Sequence, residues 1–155
     1  MQKVWSLMLP LEMKDLSDFE FRSATIEDVD YLIKFWLENS ETANRPTDTP
    51  ELIEQLILRD PEALIVATID DRIIGTVIAG WDGWRGCIYR IAIDGSARRM
   101  GLGKELIERA EQRLKRLGAE RILAMVLESN SPSHAFYTSL GYEKQGEWRR
   151  WAKKL

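Results

Sequence analysis

Apolar residues in this chain alternate between helical spacing and strand-like runs, and the changes of period divide it into segments. Phe19 to Arg22 reads as a first strand, and Thr25 then caps a helix whose Val29, Leu32, Ile33, Trp36 and Leu37 keep the helical spacing. A polar stretch from Asn39 to Asp48 leads to Thr49-Pro50, a cap followed by a first-turn proline, and to a second helix carrying Leu52, Ile53, Leu56 and Ile57. Leu64–Ile69 and Ile73–Gly80 are β-branched runs joined by the acidic turn Asp70-Asp71-Arg72, the signal of a hairpin. A second turn, Trp81 to Gly86, feeds a third antiparallel strand, Cys87–Ile93.

The strongest helical period follows, from Gly101 to Leu117, with Leu102, Leu106, Ala110, Leu114 and Leu117 on one face and Gly118 placed to stop it. Arg121–Leu127 has the composition of a buried strand. Ser131-Pro132 opens a short helix that Gly141 ends, and Tyr142–Lys154 alternates as two final strands would around Gly146. The order is β-α-α-β-β-β-α-β-α-β-β, an α/β (α+β) chain with about seven strands and four helices. Residues 1–18 keep no period and read as an N-terminal arm before a single domain at 19–155.

Composition narrows the function classes. A length of 155 residues suits one domain with a real core, and no apolar stretch approaches the ~20 residues of a membrane span. The N-terminal apolar run lacks the charge pattern and cleavage site of a secretion signal, which points to the cytoplasm. The single cysteine, Cys87, has no internal disulfide partner and reads as a small core residue. A net charge of −3 disfavours nucleic acid as a partner, the local cluster Arg149, Arg150, Lys153 and Lys154 notwithstanding.

The run Arg98-Arg99-Met100-Gly101-Leu102-Gly103 stands between a strand and the strongest helix. Its glycines permit close backbone approach, and the unpaired N–H groups and dipole of the helix start favour an anion such as phosphate. Two arginines add positive charge. Tight helix packing is the other reading of such glycines, so the neighbouring motifs carry weight.

The element order, the Arg98-x-x-Gly101-x-Gly103 turn, and Asn130 followed by Phe136-Tyr137 and Leu140-Gly141-Tyr142 together resemble the GNAT acyl-CoA N-acyltransferases. The resemblance runs from Phe19 onward. The loop Gly80-Trp81-Asp82-Gly83-Trp84-Arg85-Gly86 is similar to a turn of the small bacterial YpeA-type acetyltransferases. This resemblance implies the acyltransferase fold, a central mixed, mostly antiparallel sheet of about seven strands flanked by four helices, and acetyl-CoA as co-substrate, with no metal. It implies that the pyrophosphate of coenzyme A lies on the backbone of Arg99, Met100, Gly101, Leu102, Gly103 and Lys104, with Arg98 beside it as a further cofactor-binding residue. The pantetheine arm would bond to the main chain of Ile91, Ala92 and Ile93 in the manner of an added strand.

Asn130 matches the family asparagine that contacts the cofactor arm; its other reading is a turn residue bonding its own backbone. Tyr137 matches the family tyrosine that returns a proton to the departing thiolate. The resemblance also implies that a backbone N–H near Ile93, freed by a bulge, polarises the thioester carbonyl. Ribosomal-protein N-terminal acetyltransferases carry a glutamate on the fifth strand as base, and here Met125 takes its place. Glu128, three positions on, faces the other way by strand alternation and is not assigned. Asp82, Glu38 and Glu41 are candidates to assist deprotonation, and each also reads as solvated surface. His134, the single histidine, reads as an exposed helix residue.

Acceptor recognition is expected from Trp36 to Arg45, the Trp81–Trp84 loop, and Trp148 with Trp151. The expectation is therefore a cytoplasmic N-acetyltransferase moving acetyl from acetyl-CoA directly to a primary amine, with a homodimer as a reasonable assembly. The alternative is a non-catalytic acyl-CoA-binding regulatory domain, suggested by the missing glutamate.

Overall fold

The computed structural model describes residues 15–40 and 48–155. These form two compact units, one ending at Leu123 and the other running from Ala124 to Leu155. In the first unit, β1 (Glu20–Ser23) is followed by α1 (Val29–Asn39), α2 (Pro50–Arg59), β2 (Leu64–Ile69), β3 (Arg72–Trp81), β4 (Gly86–Ile93) and α3 (Leu102–Arg116). β5 (Ile122–Ala124) carries the chain into the second unit, which holds α4 (Ser131–Ser139). The strands form one sheet in the order β1-β2-β3-β4-β5, antiparallel from β1 through β4.

The β2–β3 connection is a two-residue hairpin loop: Ile69 pairs with Arg72, and Asp70 and Asp71 take φ of 47° and 60°. Both central residues at positive φ match the twist of the flanking strands. α1 and α2 bury Val29, Leu32, Phe35, Trp36, Ile53 and Ile57 in one cluster with Leu64, Val66, Ile73 and Ala92 of the sheet. α3 covers the opposite face. Gly75 makes room for it, since a Cβ there would stand 3.0 Å from Leu106 Cδ1, while the next residue, Thr76, meets Trp36 of α1. α3 is further held by Arg113, 5% exposed, which donates to the Ala79 carbonyl at 2.7 Å and pairs with Asp60.

The structure corrects several expectations. Among the described residues five strands form, where about seven are expected: Tyr142–Lys154 contains none, and Trp148 and Trp151 are exposed. Alternation alone does not create a ladder, and an isolated hairpin is marginal in water without a sheet or helix to pack on. The fifth strand shrinks from Arg121–Leu127 to Ile122–Ala124. Thr25 precedes a 3-10 turn, Ile26–Asp28, before α1 begins; the Asp28 carboxylate accepts the Thr25 N–H at 2.8 Å and takes both arms of Arg22. Of the arm expected at residues 1–18, the described part is a 3-10 turn, Leu16–Asp18, capped by Asp15. Among the described residues no helix is long and apolar enough to cross a membrane.

Candidate functional site

The Gly-rich run takes its shape from its backbone. β4 ends at Ile93, and Asp94 caps the short turn Gly95–Ala97 by accepting the Ser96 N–H at 2.9 Å. Arg72 lies 3.2 Å from the same carboxylate. Burial pushes the Asp94 carboxyl upward, but its bonds from Ser96 and the Arg72 charge outweigh that and hold it below the ordinary range. The chain then reaches Arg99 at φ 64° and Gly101 at φ 80°, both left-handed, with Gly101 as the N-cap of α3. The first helical bond runs from Glu105 N to Gly101 O at 3.1 Å, so the N–H groups of Leu102, Gly103 and Lys104 precede the ladder. Two left-handed residues ahead of a helix start make a concave nest of donors, and the helix dipole adds to it.

Side chains around the nest divide in two. Arg98 and Arg99 are exposed, and Lys104 lies 3.7 Å from Glu108 on the helix surface. Leu102 is buried in the core, and Met100 and Gly103 are half-buried, so these three can offer a ligand main-chain atoms. These residues fit a pyrophosphate: the donors are backbone, the charge is cationic, and Gly101 carries no Cβ at a left-handed position.

β4 bulges just before it reaches the cradle. Thr76 pairs with Ala92 and Ile78 with Tyr89, so two residues, Arg90 and Ile91, stand opposite Val77 alone. Arg90 takes the strain with φ 50°. The bulge lies upstream of its expected place, since Ile93 itself pairs with Gly75. Ile91 and Ile93 are half-buried, and the Ala92 side chain is buried under α1 and α2, leaving its main chain for any ligand contact.

In the second unit, Asn130 is the N-cap of α4: its Oδ1 accepts the Ser133 N–H at 3.1 Å. The turn reading of this residue is therefore realised, and a ligand contact would fall to its amide nitrogen. Tyr137 is 8% exposed and holds its ring edge-on to Phe136 and Tyr142, with centroids 5.4 and 5.1 Å away. His134 is half-buried, not exposed, because its Nε2 meets the Leu127 carbonyl at 3.0 Å.

The acidic candidates fare unevenly. Asp82 accepts the N–H groups of Trp84 and Arg85 at 2.8 and 2.7 Å, and these bonds hold its carboxyl below the ordinary range; it shapes the loop and is a poor proton acceptor. Glu128 is exposed and paired with Lys144 at 2.7 Å, which lowers it likewise. Glu38 is exposed, while Glu41 and Arg45 lie outside the described residues. Trp36 proves a core residue, 2% exposed, and Trp84 stands out into solvent. Burial pushes the Cys87 thiol up, away from thiolate chemistry. Among the described residues no group of three or more His, Cys, Asp or Glu is placed to hold a metal ion. The sequence reading missed Arg90, Asp48 and Thr76, which meet at the bulge; an arginine within a strand carried no signal that its backbone would turn left-handed.

The acetyltransferase (GNAT) family sequence model matches residues 29–142 of the chain. An acetyltransferase of Yersinia pestis (strain Pestoides F) is 34% identical over 127 residues, covering 81% of this chain and 89% of that one. An acetyltransferase of Pectobacterium atrosepticum is 34% identical over 125 residues, 80% of this chain and 87% of that one. In fold, the chain is similar to Ard1 from Thermoplasma volcanium, with a TM-score of 0.72 at 20% identity over 83% of this chain and 85% of that one. It is also similar to AAC(6')-Iy in complex with the bisubstrate analogue CoA-S-monomethyl-acetylneamine, with a TM-score of 0.69 at 17% identity over 88% and 99% of the two chains. With the α3 cradle and the bulged β4 in place, these matches fix the assignment: the chain belongs to the acetyltransferase (GNAT) family.

Proposed function

We propose that this chain is an acetyl-CoA-dependent N-acetyltransferase, moving acetyl directly to a primary amine without a covalent enzyme intermediate. The observation that carries the reading is the nest of backbone donors at Arg99–Lys104, with left-handed Arg99 and Gly101, immediately after a bulged strand. The likeness in fold to a chain bound to a CoA-containing analogue supports the choice of cofactor. Acetyl-CoA would supply the activated thioester.

The chain's own residues would then do three things. The main-chain N–H groups of Arg99, Met100, Gly101, Leu102, Gly103 and Lys104 would bond the pyrophosphate beside the positive charge of Arg98 and Arg99, with Asn130 and the main chain of Ile91, Ala92 and Ile93 bonding the pantetheine arm. A strand N–H beside the bulge would donate to the thioester carbonyl, where negative charge grows in the transition state. The Tyr137 hydroxyl would hold the proton that the departing thiolate requires. Deprotonation of the amine is left to solvent, consistent with Asp82 and Glu128 being committed to other bonds. The protein would act in the cytoplasm as one domain from Phe19 onward, as a homodimer, without nucleic acid or membrane.

The test is thiol release from acetyl-CoA across a panel of α-amino peptides, lysine peptides, polyamines and aminoglycosides, with acetylated product identified by mass. Release with one amine class supports the reading and names the acceptor. Acetyl-CoA binding without release from any amine overturns the catalytic claim in favour of a regulatory domain.

A further inference from the structure

The Arg90 side chain and the Arg90 backbone are the two ends of one closed circuit. Its guanidinium donates to Ser40 Oγ at 3.2 Å, and that hydroxyl donates to the Trp36 carbonyl at 2.7 Å. The Trp36 indole N–H donates to Thr76 Oγ1 at 2.9 Å, and the Thr76 hydroxyl donates to the carbonyl of Arg90 at 2.8 Å. The guanidinium also pairs with Asp48 and lies over the Trp36 ring, 5.5 Å from its centroid. Its side chain is 10% exposed, and Trp36 and Thr76 are buried.

This circuit has consequences for both ends. Ser40 closes α1 and Asp48 precedes α2, so one guanidinium pins both roots of the α1–α2 connection. The carbonyl held by Thr76 belongs to the residue whose φ of 50° makes the bulge. A left-handed non-glycine residue is strained and persists where its surroundings over-determine it. Here the surroundings are hydrogen bonds returning to the same residue.

We propose that Arg90 is a positioning residue, one that fixes the β4 bulge and the two roots of the α1–α2 connection as a single rigid piece. Resting on the acetyl-transfer reading, it acts through the strand N–H groups beside it and on the acceptor side, without touching the reacting atoms. The anion cradle on α3 is held separately, by Asp94 and the helix start, and is independent of it.

Arg90→Gly separates side chain from backbone, because glycine accepts a left-handed φ without strain while the clasp is deleted. In the protein without ligand, hydrogen exchange at residues 89–93 is expected to quicken about tenfold or more. In the assay, kcat should fall by about ten- to a hundredfold, as for small misplacements of reacting groups, while the acetyl-CoA Kd stays within about threefold. Arg90→Lys, keeping the charge but not the fork, should lie between. If Arg90→Gly fails to fold, Ser40→Ala breaks the same circuit and should show the same pattern at smaller amplitude. Unchanged exchange and kcat in Arg90→Gly overturns the inference, as does a fall in kcat matched by equal losses of acetyl-CoA affinity and melting temperature. Wild-type protein that neither binds acetyl-CoA nor releases thiol overturns the proposed function, and this inference with it; an active wild type beside an equally active Arg90→Gly overturns this inference alone.

Discussion

Gly101→Ala isolates the cradle, because the residue's two roles can be costed separately. A Cβ at 101 would meet Leu16 Cδ1 at 3.6 Å, ordinary contact, so the penalty comes from φ 80° alone. Gly118 supplies a matched control: it closes α3 at φ 100°, with nothing within 4 Å of its added Cβ. For either alanine the left-handed cost of ~1–2 kcal/mol, less the reduced freedom of the unfolded chain, leaves about 1 kcal/mol. In a chain of this size that lowers Tm by about 2–4 °C. The two variants should therefore match in thermal unfolding. They should part in acetyl-CoA titration, because misaligning one backbone donor to a charged phosphate loses ~1.5–3 kcal/mol, a Kd rise of about ten- to a hundredfold for Gly101→Ala. Gly118→Ala should bind as wild type. Equal Kd values for the two variants would refute the claim that this turn holds the phosphates.

Other expectations follow from single residues. Tyr137→Phe keeps the ring contacts with Phe136 and Tyr142 but removes the hydroxyl, so turnover should fall at least about a hundredfold while acetyl-CoA affinity holds; unchanged turnover removes Tyr137 from the acid role. Arg113→Ala leaves the Ala79 carbonyl and Asp60 without their donor and opens a void beneath α3, a loss of about 2–4 kcal/mol readable in urea unfolding. The lowered Asp94 carboxyl contributes stability that is present above its ordinary pKa of ~3.9 and lost as pH falls through its lower folded value. The acid limb of the stability curve should accordingly flatten in Asp94→Asn, and an unaltered limb would contradict the bonds to Ser96 and Arg72.

Much of the first unit was legible because each signal there was local. The helical spacing of Leu102, Leu106, Ala110 and Leu114, the Thr49-Pro50 start and the Asp70-Asp71-Arg72 turn each state their own geometry, and the structure has α3, α2 and a hairpin there, its loop shortened to Asp70-Asp71 because Arg72 of β3 already pairs with Ile69. Tyr142–Lys154 misled because alternation reports a face, while a strand requires a partner ladder. The turn into α3 was readable from Gly101 and Gly103 before a strong helix, and Gly101 is its left-handed N-cap. The Arg90 circuit was not, since it joins Ser40, Asp48 and Thr76 across 50 positions of chain through buried polar contacts that leave no period in the sequence.

Central to the account is that backbone donors at the start of α3 bind the pyrophosphate of coenzyme A. The direct measurement is calorimetric titration of the wild-type protein with acetyl-CoA and with S-acetylpantetheine, which carries the same thioester and arm without pyrophosphate or nucleotide. Acetyl-CoA should bind at least about a hundredfold tighter, in keeping with two or more charge-assisted bonds. Equal affinities, or no binding of acetyl-CoA at all, would contradict it.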